Sequence, residues 1–414
     1  MTPIKLILLF LLLLDGAVDQ LQAQMGPDLK ILGANRKIEI PFQLENDFII
    51  VSVIFNKVIP MRFIVDTGAE HSLLLDKTVA DALKVNYQRT FDIMGADMST
   101  VLKAHLATGI SLRFSNELLV RNRNLLVLER DYFNIRETSG VDVQGILGAD
   151  FFMRFVLEFD FRRKNLILHD PATWKDPGRR YEEVPVEFYR NRPFLTLPVD
   201  LDGSGSQPQK LLLDTGAGLG LLLHTGNDRE LEMPETVIPF PIARGLGGSL
   251  TGSVGRARAM QLGSYDLGGV VTHFQKLPER VDTSFLNERD GILGTQILSR
   301  FKLVVDYARK KVYIRPTRKW RSPWRFDRSG LSVSAGGQDL RNFVVLNVLP
   351  GSPAERADIR RGDMILKVNG LPANFITLGS LTRRLEGRKG KKIRLRIARG
   401  TLQVKKEFRL EELL

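Results

Sequence analysis

The sequence predicts a mainly β chain made of two homologous halves and a small α+β unit at the C-terminal end. Three observations predict it. The tetrapeptide Asp-Thr-Gly-Ala occurs twice, at 66–69 and 214–217, each time directly after three apolar residues. A Gly-Ile-Leu-Gly follows each copy at a matching distance, with Gly145 79 residues after Asp66 and Gly291 77 residues after Asp214. Between these marks the apolar runs are short, partly alternating and divided by Gly, Asn and Pro, which is strand patterning. Features that recur in one order at nearly one spacing point to an internal duplication of about 145 residues.

The elements follow in order. Residues 1–23 predict a secretory signal peptide: Lys5 precedes the apolar run 6–14, and Ala23 closes a cleavage-like segment. That run is short for a membrane anchor, and Asp15 and Asp19 follow it closely. A tether is expected over 24–36. The first half, 37–170, should hold strands at 37–44, 47–55 and 61–65 and a short helix at 78–83. Short strands should follow over 91–128, divided by Gly95, Gly109 and Asn116, then a helical piece at 150–155 and a hairpin over 155–168. A polar linker over 170–180 leads into the second half, 171–318, where Val184-Pro185-Val186 echoes Ile40-Pro41-Phe42 and a hairpin over 301–314 echoes the earlier one. Asp160 and Asp306 recur at the hairpin ends, where they are expected to cap turns. A second linker at 316–324 precedes the last unit, 325–414.

With 43% hydrophobic and 26% charged residues, the chain can bury a large core. It has no cysteine, so it has neither disulfides nor a lipid-anchored cysteine. Together with the leader, this fits an exported protein, periplasmic or secreted. The net charge of +13 is concentrated at the end, where residues 325–414 hold 19 Lys and Arg against 9 Asp and Glu. A basic unit of this kind can be drawn weakly to anionic surfaces. There is no nucleic-acid motif, and after leader cleavage no membrane span is expected.

The duplicated Asp carries chemistry. Each follows an apolar run, so each carboxylate should be largely buried, which is costly unless it is paired or protonated. Two carboxylates about 3 Å apart cannot both ionise, and they share one proton. The charged one can then deprotonate a water while the protonated one donates to a carbonyl oxygen. Thr67 and Thr215 have hydroxyls able to bond across a junction, and Gly68 and Gly216 allow close backbone approach with free NH donors. His71 and His224 lie near these loops without converging metal or nucleophile partners, and neither a metal nor another cofactor is expected. Glu70 is expected at the surface.

Residues 37 to about 315 resemble the aspartic proteases, in the branch with retropepsin-like lobes. Asp66-Thr67-Gly68-Ala69 and Asp214-Thr215-Gly216-Ala217 match the catalytic loops, and Ile146-Leu147-Gly148 and Ile292-Leu293-Gly294 match the segment threaded behind each loop. The resemblance implies two β-barrel-like lobes related by a pseudo-two-fold, with Asp66 and Asp214 catalytic and peptide bound extended between them. It also implies flaps, with candidates at 93–103 and at 245–256, the latter rich in glycine (Gly245, Gly247, Gly248). Many acid-acting members carry Ser after Asp-Thr-Gly. Ala69 and Ala217 remove that hydroxyl and predict a pH optimum nearer neutral.

Residues 325–414 resemble a PDZ domain through Gly330-Leu331-Ser332-Val333, Ser352-Pro353-Ala354, Gly362-Asp363 and Val368-Asn369-Gly370. The resemblance implies capture of peptide C-termini beside 331–334 and a helix at 378–385, for substrate recruitment or regulation. The expected function is an exported aspartic endopeptidase acting on polypeptides. The alternative is a non-catalytic peptide-binding protein with a protease-like cleft and a PDZ groove.

Overall fold

The computed structural model describes residues 29–31, 37–94, 101–226, 231–245, 248–277 and 289–414. The expected signal peptide, most of the tether, Gly247 and the centre of the first flap candidate lie outside the described residues. The chain is mainly β, with two closed six-stranded β-barrels and a PDZ domain. No described helix is long and apolar enough to cross a membrane.

Strand Lys37–Glu45 shows why the first barrel forms. Ile38, Ile40 and Phe42 are buried while Lys37, Glu39 and Pro41 are exposed, so one face of the pleat enters the core. Phe48–Phe55 and Ile59–Val65 continue as an antiparallel meander. Ile59–Val65 then pairs in parallel with Gly145–Leu147, which pairs antiparallel with Leu73–Leu74. The second barrel repeats this. Arg192–Asp200 pairs with Gln207–Asp214, which lies parallel to Gly291–Gly294, itself antiparallel to Leu221–Thr225.

The two hairpins, Val156–Asp160 with Asn165–His169 and Phe301–Asp306 with Lys311–Pro316, join edge to edge through the pair Val156↔Asp306 to Phe159↔Leu303. This makes a continuous floor beneath both lobes. Asp160 accepts from the backbone of Arg162 and Arg163 at 3.1 and 3.0 Å, and Asp306 from Arg309 at 3.0 Å. Both therefore cap turns, at the hairpin ends rather than in the Asp-Thr-Gly loops.

The structure differs from the sequence reading in three places. Leu29–Ile31, assigned to the tether, is a strand paired with Leu118–Val120. Gly109 does not divide strands, because its φ of +72° places it in a bulge through which Val101–Arg113 continues. The segment 316–324 is pinned to the second lobe rather than loose. Arg300 stacks on Trp324 at 3.3 Å and donates to the carbonyls of Trp320 and Ser322, while Trp324 Nε1 donates to Gly268 O at 2.9 Å.

The last unit has strands Leu331–Gly336, Asn342–Val348, Met364–Val368, Lys392–Arg399 and Leu402–Arg409 and a helix Leu378–Leu385, capped by Thr377 Oγ1 accepting from Ser380 N at 3.1 Å. It touches both lobes. Leu378 packs on Gly140, and helix Ile135–Ser139 runs beside Leu331–Gly336. Phe326, Leu349, Leu413 and Leu414 join the apolar cluster of the second lobe.

Candidate active site at the junction of the lobes

Both Asp-Thr-Gly loops end a strand that lies parallel to its Gly-Ile-Leu segment. The backbone leaves the strand at Asp66 and Asp214, and each side chain points into the junction. Thr67 Oγ1 donates to Leu213 O at 2.7 Å and accepts from Thr215 N at 3.1 Å. Thr215 Oγ1 donates to Val65 O at 2.8 Å and accepts from Thr67 N at 3.1 Å. Four buried bonds thus tie the loops reciprocally, as the two threonines were expected to do.

Gly68 N and Ala69 N donate to Asp66 Oδ1 at 2.7 and 2.9 Å, and Gly216 N donates to Asp214 Oδ1 at 2.7 Å. Glycine is required here. A Cβ on Gly68 would stand 2.7 Å from Asp214 Cγ, and one on Gly216 would fall on the Asp66 carboxylate. Behind the loops, Gly148 and Gly294 allow the threaded segments to pass the carbonyls of Ala69 and Ala217, which accept from Ala149 N and Thr295 N at 2.8 and 2.9 Å.

Asp66 and Asp214 are both buried, and their side chains lie within hydrogen-bonding reach of each other. Asp66 Oδ2 has no donor among the described residues. Two ionised carboxylates would be acceptors facing each other, so the contact is a hydrogen bond only when one proton is present. Burial, then the Asp214 charge, holds Asp66 well above the usual carboxylate range, with the NH groups of Gly68 and Ala69 opposing. Burial also raises Asp214, opposed by Asp66, by Gly216 N and by the guanidinium of Arg289. The pair therefore titrates as one coupled unit that holds a single proton between the two carboxylates.

Other sequence expectations fare differently. Glu70 is buried, not at the surface: it is 7% exposed and lies 3.7 Å from His71 Nε2 and 3.8 Å from Arg190 Nη1. The cause is the other lobe, whose Arg190 and Arg192 face it. Gly245 and Gly248 pair across the end of hairpin Val237–Gly245 and Gly248–Leu262, while Gly247 between them is outside the described residues. In the PDZ unit, Gly330 turns with φ +82° but Leu331, Ser332 and Val333 belong to strand Leu331–Gly336 rather than to a loop. The NH of Gly330 already donates to Asp327 Oδ2 at 2.6 Å and that of Leu331 to Ser329 Oγ at 3.1 Å. Two of the NH groups expected to receive a chain end, those of Gly330 and Leu331, thus meet the chain's own side chains in this structure. Among the described residues no cluster of His, Asp and Glu could hold a metal ion.

Sequence reasoning missed two buried arginines beside the dyad, Arg192 and Arg289. Burial lowers both. Arg289, further lowered by Arg192 and supported by Asp214, falls to about 9. Neither arginine recurs at the matching place in the first half, so the sequence carries no signal for them, and only the paired lobes expose their place.

Comparison with known proteins places these features in families. Residues 51–151 match the aspartyl protease family, and residues 344–399 match the PDZ domain. The chain therefore carries an aspartyl protease domain and a PDZ domain. The second Asp-Thr-Gly-Ala lies outside the matched span and is tied to the first by strand register. Over 64 residues the chain is 42% identical to HhoA of Synechocystis sp. (strain ATCC 27184 / PCC 6803 / Kazusa), which is named as a serine protease. That match covers 15% of this chain and 16% of HhoA. Among solved structures, the basic 7S globulin from soybean aligns at 10% identity and a TM-score of 0.41, over 68% of this chain and 95% of that one. The photosystem II D1 C-terminal processing protease aligns at 23% identity and a TM-score of 0.20, over 21% of this chain and 23% of that one.

Proposed function

We propose that this chain is an exported aspartic endopeptidase in which Asp66 and Asp214 activate one water against a peptide bond. The observation that carries the reading is the pair of buried carboxylates in reach of each other, each fixed by its loop NH groups and one oxygen left without a donor. In the reaction, the ionised member of the pair takes a proton from water and the protonated member donates to the carbonyl oxygen. The tetrahedral adduct then breaks at the C–N bond as a proton passes to the leaving amine, and the pair returns to one proton. The loops move little, because the threonine bonds hold both carboxylates in place.

The similarity to HhoA suggests a serine-type alternative, but the site does not favour it. A hydroxyl–imidazole–carboxylate chain does exist, with Thr90 Oγ1 3.0 Å from His105 Nδ1 and His105 Nε2 2.6 Å from Glu129. It is not assembled like a nucleophile site: it sits on an exposed hairpin, and Glu129 is also paired with Lys77 at 2.6 Å. The contact between helix Ile135–Ser139 and strand Leu331–Gly336 supports regulation by the PDZ unit, with peptide C-termini competing for its groove. Export is supported by the N-terminal apolar run, and the basic PDZ surface supports weak attraction to anionic surfaces.

Incubating purified protein with a proteome-derived peptide library across pH tests the reading. Cleavage that a statine-type transition-state analogue blocks, and that a fluorophosphonate does not, is expected. Cleavage with the opposite inhibitor pattern would reject it.

A further inference from the structure

The duplication lets the two sides of the cleft be compared residue by residue. Leu75 N donates to Gln144 O at 3.0 Å and Gln144 N to Arg62 O at 2.9 Å; in the second lobe His224 N donates to Asp290 O at 2.8 Å and Asp290 N to Lys210 O at 2.8 Å. His224 thus stands where Leu75 stands, and Arg289 where Val143 stands. The pairs Ile50↔Ile64 and Phe194↔Leu212, each two residues before its Asp, make Arg192 the counterpart of Phe48. Both open their strands after a two-residue turn with positive φ, Asn46-Asp47 and Arg190-Asn191. By the pairs Leu73↔Leu126 and Leu222↔His273, Leu126 and Leu128 correspond to His273 and Gln275.

All five first-lobe residues, Phe48, Leu75, Leu126, Leu128 and Val143, belong to one apolar cluster that also holds Ala69 of the catalytic loop. All five counterparts are polar. Arg192 and Arg289 are each 4% exposed and His224 is 6% exposed. Nε and Nη2 of Arg289, Nε of Arg192, both ring nitrogens of His224 and Oε1 of Gln275 lack hydrogen-bond partners among the described residues. The groups converge: Arg289 acts on His224, on Arg192 and on Asp214. Arg192 reaches across the junction towards Glu70, as Phe48 reaches the equivalent Gly218, with Arg190, Tyr189 and Asp66 also nearby. Burial, then Arg289, pushes His224 down to about 3, so it stays a neutral imidazole. Two buried guanidiniums with unfilled donors are costly unless an anion completes them.

We infer that the second-lobe side of the cleft is a carboxylate subsite, in which Arg289, assisted by Arg192 and His224, receives an acidic group of the peptide next to the scissile bond. The first-lobe side receives an apolar residue. The cleft therefore selects a peptide that is apolar on one side of the cut and acidic on the other. The inference deepens the hydrolase reading and rests on it for the word scissile. Arginine suits the task because its planar fork binds a carboxylate through two bonds.

The test uses the full chain and acetylated, amidated peptides, so that the PDZ groove meets no free carboxylate. Sets differ only in Glu, Gln or Leu at the positions flanking the cut, and one further set offers a free C-terminal carboxylate in place of Glu. kcat/KM is measured on wild type, and Kd by calorimetry on Asp66→Asn protein. Glu over Gln by about tenfold or more is expected in either assay, falling to about twofold or less in Arg289→Met and partly restored in Arg289→Lys. If only the free chain end shows Arg289-dependent selection, the carboxylate subsite stands and its ligand is a C-terminus. Wild-type Glu-to-Gln ratios near one in both assays, with no preference for the free chain end either, would overturn it and need no variant to fold. So would an Arg289→Met protein whose pH profile shifts while its Glu-to-Gln ratio stays unchanged, since Arg289 would then serve only Asp214. Protein that binds Glu over Gln but cuts nothing keeps this inference and removes the hydrolase reading, whereas cutting without regard to charge does the reverse.

Discussion

The two lobes agree at the catalytic loops and disagree a few ångströms away. At the loops, each threonine bonds the other lobe's backbone and each glycine faces the other lobe's carboxylate. Beside the loops, the first lobe buries Phe48, Leu75 and Val143, and the second buries Arg192, His224 and Arg289. The shared part is constrained by chemistry that needs two equivalent carboxylates. The divergent part is free of that constraint and has no reason to stay symmetric. The difference teaches that duplication supplies the reaction while asymmetry supplies selection.

The sharpest way to break the symmetric part is to fill either glycine. Gly68→Ala or Gly216→Ala drives a Cβ into the opposing carboxylate, and peptide cleavage should fall by more than about a hundredfold in each. Equal losses support equivalence of the loops, while a loss confined to one lobe would argue against it.

The asymmetric part is probed by exchanging counterparts. Val143→Arg places an unpaired charge in the apolar cluster and should cost about 3–5 kcal/mol in denaturant unfolding. Arg289→Val removes an incompletely bonded buried charge and should be neutral or stabilise by roughly 1–2 kcal/mol. Destabilisation of similar size in both directions would mean that the second-lobe arginine is already satisfied.

The dyad also leaves a mark on stability. In the unfolded chain Asp66 ionises near 3.8, and in the native protein well above it. Between these values the native state holds more protons, so stability falls as pH rises from the first through the second. Asp66→Asn keeps the acceptor for Gly68 and Ala69 and removes that penalty. Its Tm should equal wild type at about pH 3.5 and exceed it near neutrality. A Tm difference that does not change with pH would contradict the raised pKa.

The smallest effect concerns a contact between the first lobe and the helix of the PDZ unit. Asn46, whose Nδ2 donates to Ser139 O within the lobe, packs against Gly379 of that helix. Asn46→Ala should loosen this contact by about 1 kcal/mol and raise the affinity of the full chain for a free-carboxylate peptide severalfold. Unchanged affinity would mean that the groove is not held by the lobe.

Much of this architecture was legible because its signals are local. Asp-Thr-Gly-Ala, the downstream Ile-Leu-Gly and the hairpins 156–169 and 301–316 each lie within a few residues, and each recurs. The buried polar group was not legible, because its members are spread over the chain and their spacing to their counterparts drifts. It is 144 residues from Phe48 to Arg192, 149 from Leu75 to His224 and 146 from Val143 to Arg289. Small insertions in each loop defeat a fixed offset, and only strand register aligns the pairs. Glu70 was misplaced for a related reason, since the groups that bury it come from the other lobe. The strand Leu29–Ile31 was missed because three residues carry no period of their own and are ordered by a partner about 90 residues away.

The account turns on Asp66 and Asp214 acting as one acid–base unit, and the most direct measurement is peptide-library cleavage by wild type, Asp66→Asn and Asp214→Asn, read by mass spectrometry from about pH 4 to 8. Wild type should cut, with an optimum nearer neutral than that of an acid-acting enzyme, and both variants should lose cleavage by at least about a thousandfold while remaining folded. Either variant cutting the same bonds at the wild-type rate would contradict a shared dyad.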